Sequence, residues 1–79
     1  MKRSPADDST LRKTLGLNLR LYRVRRSLSQ RQLAALVGTS ANRIGAIEKG
    51  LSSTTVDVIE RLADALETEP WRLLAPDQG

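Results

Sequence analysis

The chain has no cysteine, no histidine and no phenylalanine among its 79 residues, and its only aromatic side chains are Tyr22 and Trp71. Each absence closes a class of function. Without cysteine there is neither a disulfide nor a thiolate metal site. Without histidine the chain lacks the commonest general base, the commonest transition-metal ligand and the usual neutral-pH switch. No apolar run approaches the ~20 residues of a membrane span. The opening Met1-Lys2-Arg3-Ser4-Pro5-Ala6-Asp7-Asp8 lacks the apolar segment of a secretory signal. No glycine-rich phosphate loop occurs, and no base stands at a useful spacing from a nucleophile. The expectation is a cytoplasmic protein, with no cofactor, no metal and no enzymatic activity.

A chain of this length supports one small domain, and such a domain buries only ~60% of the surface that its unfolded form exposes. Its charge is polarised. Residues 1–26 carry eight basic side chains against two acidic ones, residues 27–50 three against one, and residues 51–79 two against six. A basic front suits a polyanion, whereas an acidic back suits solvent or another protein.

Apolar spacing is helical throughout, with no alternating run and no internal repeat. Residues 1–8 read as a flexible arm, 9–76 as the domain and 77–79 as a tail. A first helix is expected from Ser9 or Thr10 to about Arg26, with Leu11, Leu15, Leu19 and Tyr22 on its inward face. Leu17, Leu21 and Val24 form a second stripe on roughly the opposite side. That stripe is covered either by Trp71 and the last helix or by a second subunit or another partner. A second helix opens at Ser29, with Gln32 completing a capping box, and buries Leu33, Leu36 and Val37. Gly38 suits a left-handed helix end. Ser40 caps a third helix that buries Ile44 and Ile47 and stops at Gly50. Thr54 or Thr55 caps a fourth, with Val56, Ile59, Leu62, Ala63 and Leu66 inward. Pro70 starts a short fifth helix carrying Leu73 and Leu74, closed by Pro76.

Two short helices joined by Gly38-Thr39-Ser40 form a helix-turn-helix. Such a pair crosses steeply, so one helix can project into the major groove of DNA while the other braces it. The outward residues at the start of the projecting helix must be short or able to hydrogen-bond with base edges. Ser40, Ala41, Asn42, Arg43 and Ala46 meet that requirement: asparagine can pair with adenine, arginine with guanine, and an alanine methyl can touch that of thymine. Gly45 lets the backbone approach closely, at a helix-propensity cost of about 1 kcal/mol. Backbone phosphates need amides and cations, which Gln30 and Arg31 at a helix start, Thr39 in the turn and Lys49 would supply.

The run Leu28-Ser29-Gln30-Arg31-Gln32-Leu33-Ala34, then Ile44-Gly45-Ala46-Ile47-Glu48-Lys49-Gly50, then Leu62-Ala63-Asp64-Ala65-Leu66 resembles the Cro/phage-repressor helix-turn-helix family over roughly residues 15–75. The resemblance implies an all-α, compact five-helix DNA-binding domain, usually dimeric, on a near-palindromic operator. By position it places Gln30 on phosphate, Ser40, Ala41, Asn42 and Ala46 at base edges, and Lys49 near the backbone. It also pairs Arg23 with Glu48 as a structural ion pair. Four positions depart from the pattern. Ala41 and Ala46 stand where many relatives carry longer polar readers such as Gln, Glu67 where the family usually has Gly, and Trp71 where a polar surface residue is usual.

The resulting expectation is a transcription regulator, acting as a repressor or autoregulator and bound to duplex DNA as a homodimer, with Trp71, Leu17, Leu21 and Val24 as interface candidates. The acidic positions Asp57, Glu60, Asp64 and Glu67 read as a solvated face or as a contact for RNA polymerase or another protein. A second class stays open at this point: a protein-interaction module, antitoxin or coactivator-like bridge, that uses the same helices as a scaffold.

Overall fold

The computed structural model describes residues 8–76. Within them lie five helices, α1 (Asp8–Arg25), α2 (Gln30–Val37), α3 (Ala41–Glu48), α4 (Val56–Ala65) and α5 (Pro70–Leu74), and no strand. The expected arm and tail fall outside the described residues, except that Asp8 already belongs to α1, which starts slightly earlier than its spacing suggests and ends at Arg25.

The core is one cluster: Leu15 and Leu19 of α1, Leu33, Ala34 and Val37 of α2, Ile44 and Ile47 of α3, Leu62, Ala63 and Leu66 at α4, and Leu73 of α5. α3 packs between α1 and α2, whereas α5 closes the far side against α1 and α4. Three residues expected inside are exposed instead: Leu11, Leu36 and Val56. Leu36 falls outside the arc that Leu33, Ala34 and Val37 define, because 100° per residue carries it past the edge of the buried stripe. Leu11 and Val56 lie in or near the first turns of their helices, beyond the margin of the core.

The N-terminal signals hold in detail. Ser29 Oγ accepts the Gln32 amide at 3.0 Å while the Gln32 side chain accepts the Ser29 amide at 2.7 Å, a complete capping box. Ser40 caps α3, Thr55 caps α4, and Pro70 opens α5.

The C-termini share one device. In each of α1 to α4 an amide beyond the helix reaches back five residues: Leu28 to Arg23 O, Thr39 to Ala34 O, Leu51 to Ala46 O and Thr68 to Ala63 O, at 2.9–3.1 Å. This bond requires a left-handed residue just before the donor. Gly38 and Gly50 fill that role at two ends, but Ser27 (φ 57°) and Glu67 (φ 55°) fill it at the others. An L-residue in this conformation costs about 1–2 kcal/mol, because its Cβ crowds the following carbonyl. Glu67 also forms a surface ion pair with Arg26. Glu67→Gly and Glu67→Ala both delete that pair, so comparing them isolates the backbone. We expect the glycine variant to be the more stable by about 1 kcal/mol in urea denaturation. Equal midpoints would mean that the turn relaxes out of the left-handed region when the side chain shortens.

Asn18, which the sequence reading passes over, is the buried polar side chain that ties α5 down. Its Nδ2 donates to Arg72 O (3.2 Å), Leu73 O (3.0 Å) and Ala75 O (2.7 Å). A five-residue helix leaves most of its carbonyls without an internal partner. One amide group on α1 satisfies several of them and fixes the last helix to the first.

Candidate nucleic-acid interface

α3 is held by its two buried isoleucines on one side and is open on the other. Ser40 Oγ accepts the Arg43 amide at 3.1 Å, which sets the first turn. Outward from Ile44 and Ile47, a shallow depression is lined by Gln30, Ala41, Asn42, Gly45, Ala46, Lys49 and Leu51. A second depression beside it is lined by Arg20, Arg23, Gln30, Gly45, Glu48 and Lys49. Four residues expected to act together, Ala41, Asn42, Ala46 and Lys49, thus share one surface with Gln30.

The other expected residues sit as follows. Arg43 is exposed, and its Nη2 makes a long contact of 3.4 Å with Ser53 O, so it leans toward the loop before α4. Arg31 is exposed in the first turn of α2 and Thr39 is half-buried in the turn; neither lines the depression. Ser40 spends one lone pair on its cap, and its hydroxyl proton remains available to an outside acceptor.

One carboxylate stands close to this surface and is consumed internally. Arg23 Nε donates to Glu48 Oε2 at 2.5 Å and Nη2 to Oε1 at 3.0 Å, with the side chains 12% and 5% exposed. Gln30 Nε2 donates to Glu48 Oε1 at 3.1 Å, and Arg23 Nη1 caps Leu28 O at 2.8 Å. The hydrogen bonds that Arg23 donates to Glu48 raise its pKa above the ordinary arginine value; burial opposes this, and the charge attraction adds to it. The network cancels a negative charge next to α3 and joins the ends of α1, α2 and α3. Exposed Arg20, Arg43 and Lys49 then leave positive charge along α3.

The two glycines of this region differ in what the fold asks of them. A Cβ on Gly45 would meet only the Gln30 side chain at 3.5 Å or more, an ordinary contact, so packing does not demand a glycine there. A Cβ on Gly16, in the middle of α1, would lie 2.5 Å from Ile47 O and 2.6 Å from Glu48 O. Gly16 is therefore what lets α1 lie directly against the end of α3. A glycine at the centre of an otherwise good helix was the available signal. Leu51 was also missed: it belongs to no helix and carries no polar group, and only the bend at Gly50 brings it to the depression.

The outer stripe of α1 is not covered by the last helix. Leu17 is 70% exposed, Val24 is exposed too, and Trp71 on α5 is 57% exposed with the Arg72 guanidinium 4.9 Å above its ring.

Known proteins share this arrangement. A family model described as a helix-turn-helix domain matches residues 14–74. A hypothetical transcription factor of Neisseria meningitidis serogroup B is 35% identical over 72 residues, covering 91% of this chain and 68% of that protein. The crystal structure of the hypothetical transcription factor NHTF from Neisseria superposes with a TM-score of 0.82 at 35% identity, over 86% of this chain and 78% of the other. The restriction-modification controller protein C.AhdI from Aeromonas hydrophila gives 0.80 at 34% identity, over 85% and 97% respectively.

Proposed function

The chain belongs to the helix-turn-helix family of the Cro and phage-repressor type, and from that premise we propose that it is a sequence-specific regulator of transcription that inserts α3 into the major groove of duplex DNA. The observation that carries this reading is the open depression along α3, which combines Asn42, two alanines, a glycine and Lys49 and is left uncovered by the described residues. Asn42 pairs with an adenine edge. Arg43 exchanges its weak contact with Ser53 for guanine or for the backbone. Lys49, Arg31, Thr39 and the first-turn amides of α2 at Gln30 and Arg31 hold phosphates and set the register. The protein acts as a homodimer, with two α3 helices in successive major grooves about 34 Å apart, on a near-palindromic site. The exposed Trp71 and the Leu17, Leu21 and Val24 stripe are the surfaces offered to the second copy. Where its site overlaps a promoter, the protein represses, its own gene included. Its place of action is the cytoplasm, on the nucleoid.

Selection from random duplex tests this directly, because it returns the site and its symmetry together. A DNA reader enriches a two-fold-symmetric motif and loses affinity steeply as salt rises, whereas a protein-protein bridge does neither. On the selected site, Asn42→Ala is expected to lose about 1–3 kcal/mol at one base pair and to relax preference there. Lys49→Ala weakens all duplexes alike and flattens the salt dependence by about one phosphate. Native affinity in both variants would remove α3 from the interface.

A further inference from the structure

We propose that Leu51 is a specificity-determining residue: with the methyl groups of Ala41 and Ala46 it forms an apolar notch that receives the C5-methyl group of a thymine. The inference rests on the DNA-binding reading above and adds to it a residue and a ligand group.

Leu51 is 74% exposed, although it is a large aliphatic side chain on a surface otherwise rich in polar and basic groups. It takes no part in the core cluster. Its place is nonetheless fixed. Gly50 turns the chain at φ 73°, and the Leu51 amide returns to Ala46 O at 3.0 Å, which sets the residue against the last turn of α3. It lines the same depression as Ala41, Asn42, Ala46 and Lys49. Neither alanine can hydrogen-bond through its side chain, so this part of the wall can discriminate only by shape and apolar contact. The thymine methyl is the one apolar group that a base pair presents in the major groove. Lys49 at the rim supplies the phosphate contact that would hold that base edge in register. An exposed leucine fixed beside two alanines, on the face that otherwise carries hydrogen-bonding and charged groups, matches that methyl group among the base edges of the major groove.

The test uses the full chain and its selected duplex. Each thymine of the half-site is replaced in turn by deoxyuridine, which removes the methyl and keeps every hydrogen-bonding group. At one position we expect wild-type affinity to fall about fourfold, the worth of one buried methyl. Leu51→Ala should bind the thymine duplex several-fold more weakly and lose the thymine-uracil difference at that position, while Leu51→Met should keep it. The salt dependence should stay unchanged in both variants, unlike that of Lys49→Ala. The side chain lies outside the core, so the melting temperature of Leu51→Ala should match that of the wild type. If the wild type enriches no duplex, the DNA reading itself fails. If it binds its site but no deoxyuridine substitution matters, or if Leu51→Ala retains the full discrimination, DNA binding stands and the role of Leu51 is overturned.

Discussion

Replacing Glu48 with alanine is expected to lower the stability of the domain by about 3–5 kcal/mol, the range for removing one partner of a buried ion pair. The carboxylate accepts three hydrogen bonds, two from Arg23 and one from Gln30. Its loss leaves a guanidinium that is 12% exposed with Leu28 O as its one remaining partner among the described residues. A domain of this size has roughly 4–12 kcal/mol in total, so the variant would be close to its unfolding threshold at ambient temperature. Urea denaturation measures the loss. The double variant Arg23→Met with Glu48→Leu is the control: with both charges gone, no buried group is left unpaired, and most of the loss should disappear. The attraction is poorly reached by salt, so the deficit of Glu48→Ala should persist at high ionic strength. A loss below 1 kcal/mol would mean that Arg23 swings out to water, and the account of this network would be wrong.

Gly16→Ala is the second large effect, and its sign is opposite to that of the usual glycine-to-alanine change in a helix. In an open helix this change stabilises by about 1 kcal/mol. Here the new Cβ would sit 2.5 Å from a backbone carbonyl oxygen, so α1 and α3 must separate. Overpacking of this kind costs about 1–3 kcal/mol and, against rigid backbone, belongs at the upper end. Less the helix-propensity gain, the expected net loss is about 2 kcal/mol. Gly45→Ala, on the helix that α1 contacts, has only the movable Gln30 side chain to meet and should gain up to about 1 kcal/mol. Thermal denaturation of the two variants against the wild type reads both signs. Two gains would show that α1 and α3 are further apart than described.

These two glycines mark where sequence reasoning reached its limit. Local signals are short-range, and they were legible. Ser29 with Gln32, Gly38, Ser40 and Pro70 act through bonds within a few residues of themselves, and both ends of α2 and the starts of α3 and α5 followed from them. Periodicity was less exact. It found Leu33, Val37, Ile44, Ile47 and Leu62 but also placed Leu11 and Val56 inside, because a spacing gives a direction around a helix and not how far along it the core extends, and it drew the buried arc of α2 too wide by including Leu36. Contacts between helices have no local signature. Gly16 against Ile47 O and Asn18 against three carbonyls near α5 depend on which helix lies across α1, and nothing near residues 16 or 18 records that.

The candidate surface divides in the same way. Asn42, Ala46 and Lys49 fell together because one helix carries the first two and its last turn carries the third, so helical geometry alone aligns them. Leu51 joined them only through the bend at Gly50 and the amide bond to Ala46 O.

From its residues alone, then, this protein was committed to five helices, a capped pair around Gly38 and a basic front, since those follow from intrinsic torsional preference, capping bonds and charge. Folding in three dimensions settled which glycine is indispensable, which polar side chain anchors the last helix, and that one leucine stands beside the exposed residues of α3. Those outcomes rest on close approach between segments distant in sequence, and steric exclusion at such contacts acts only once the segments have met.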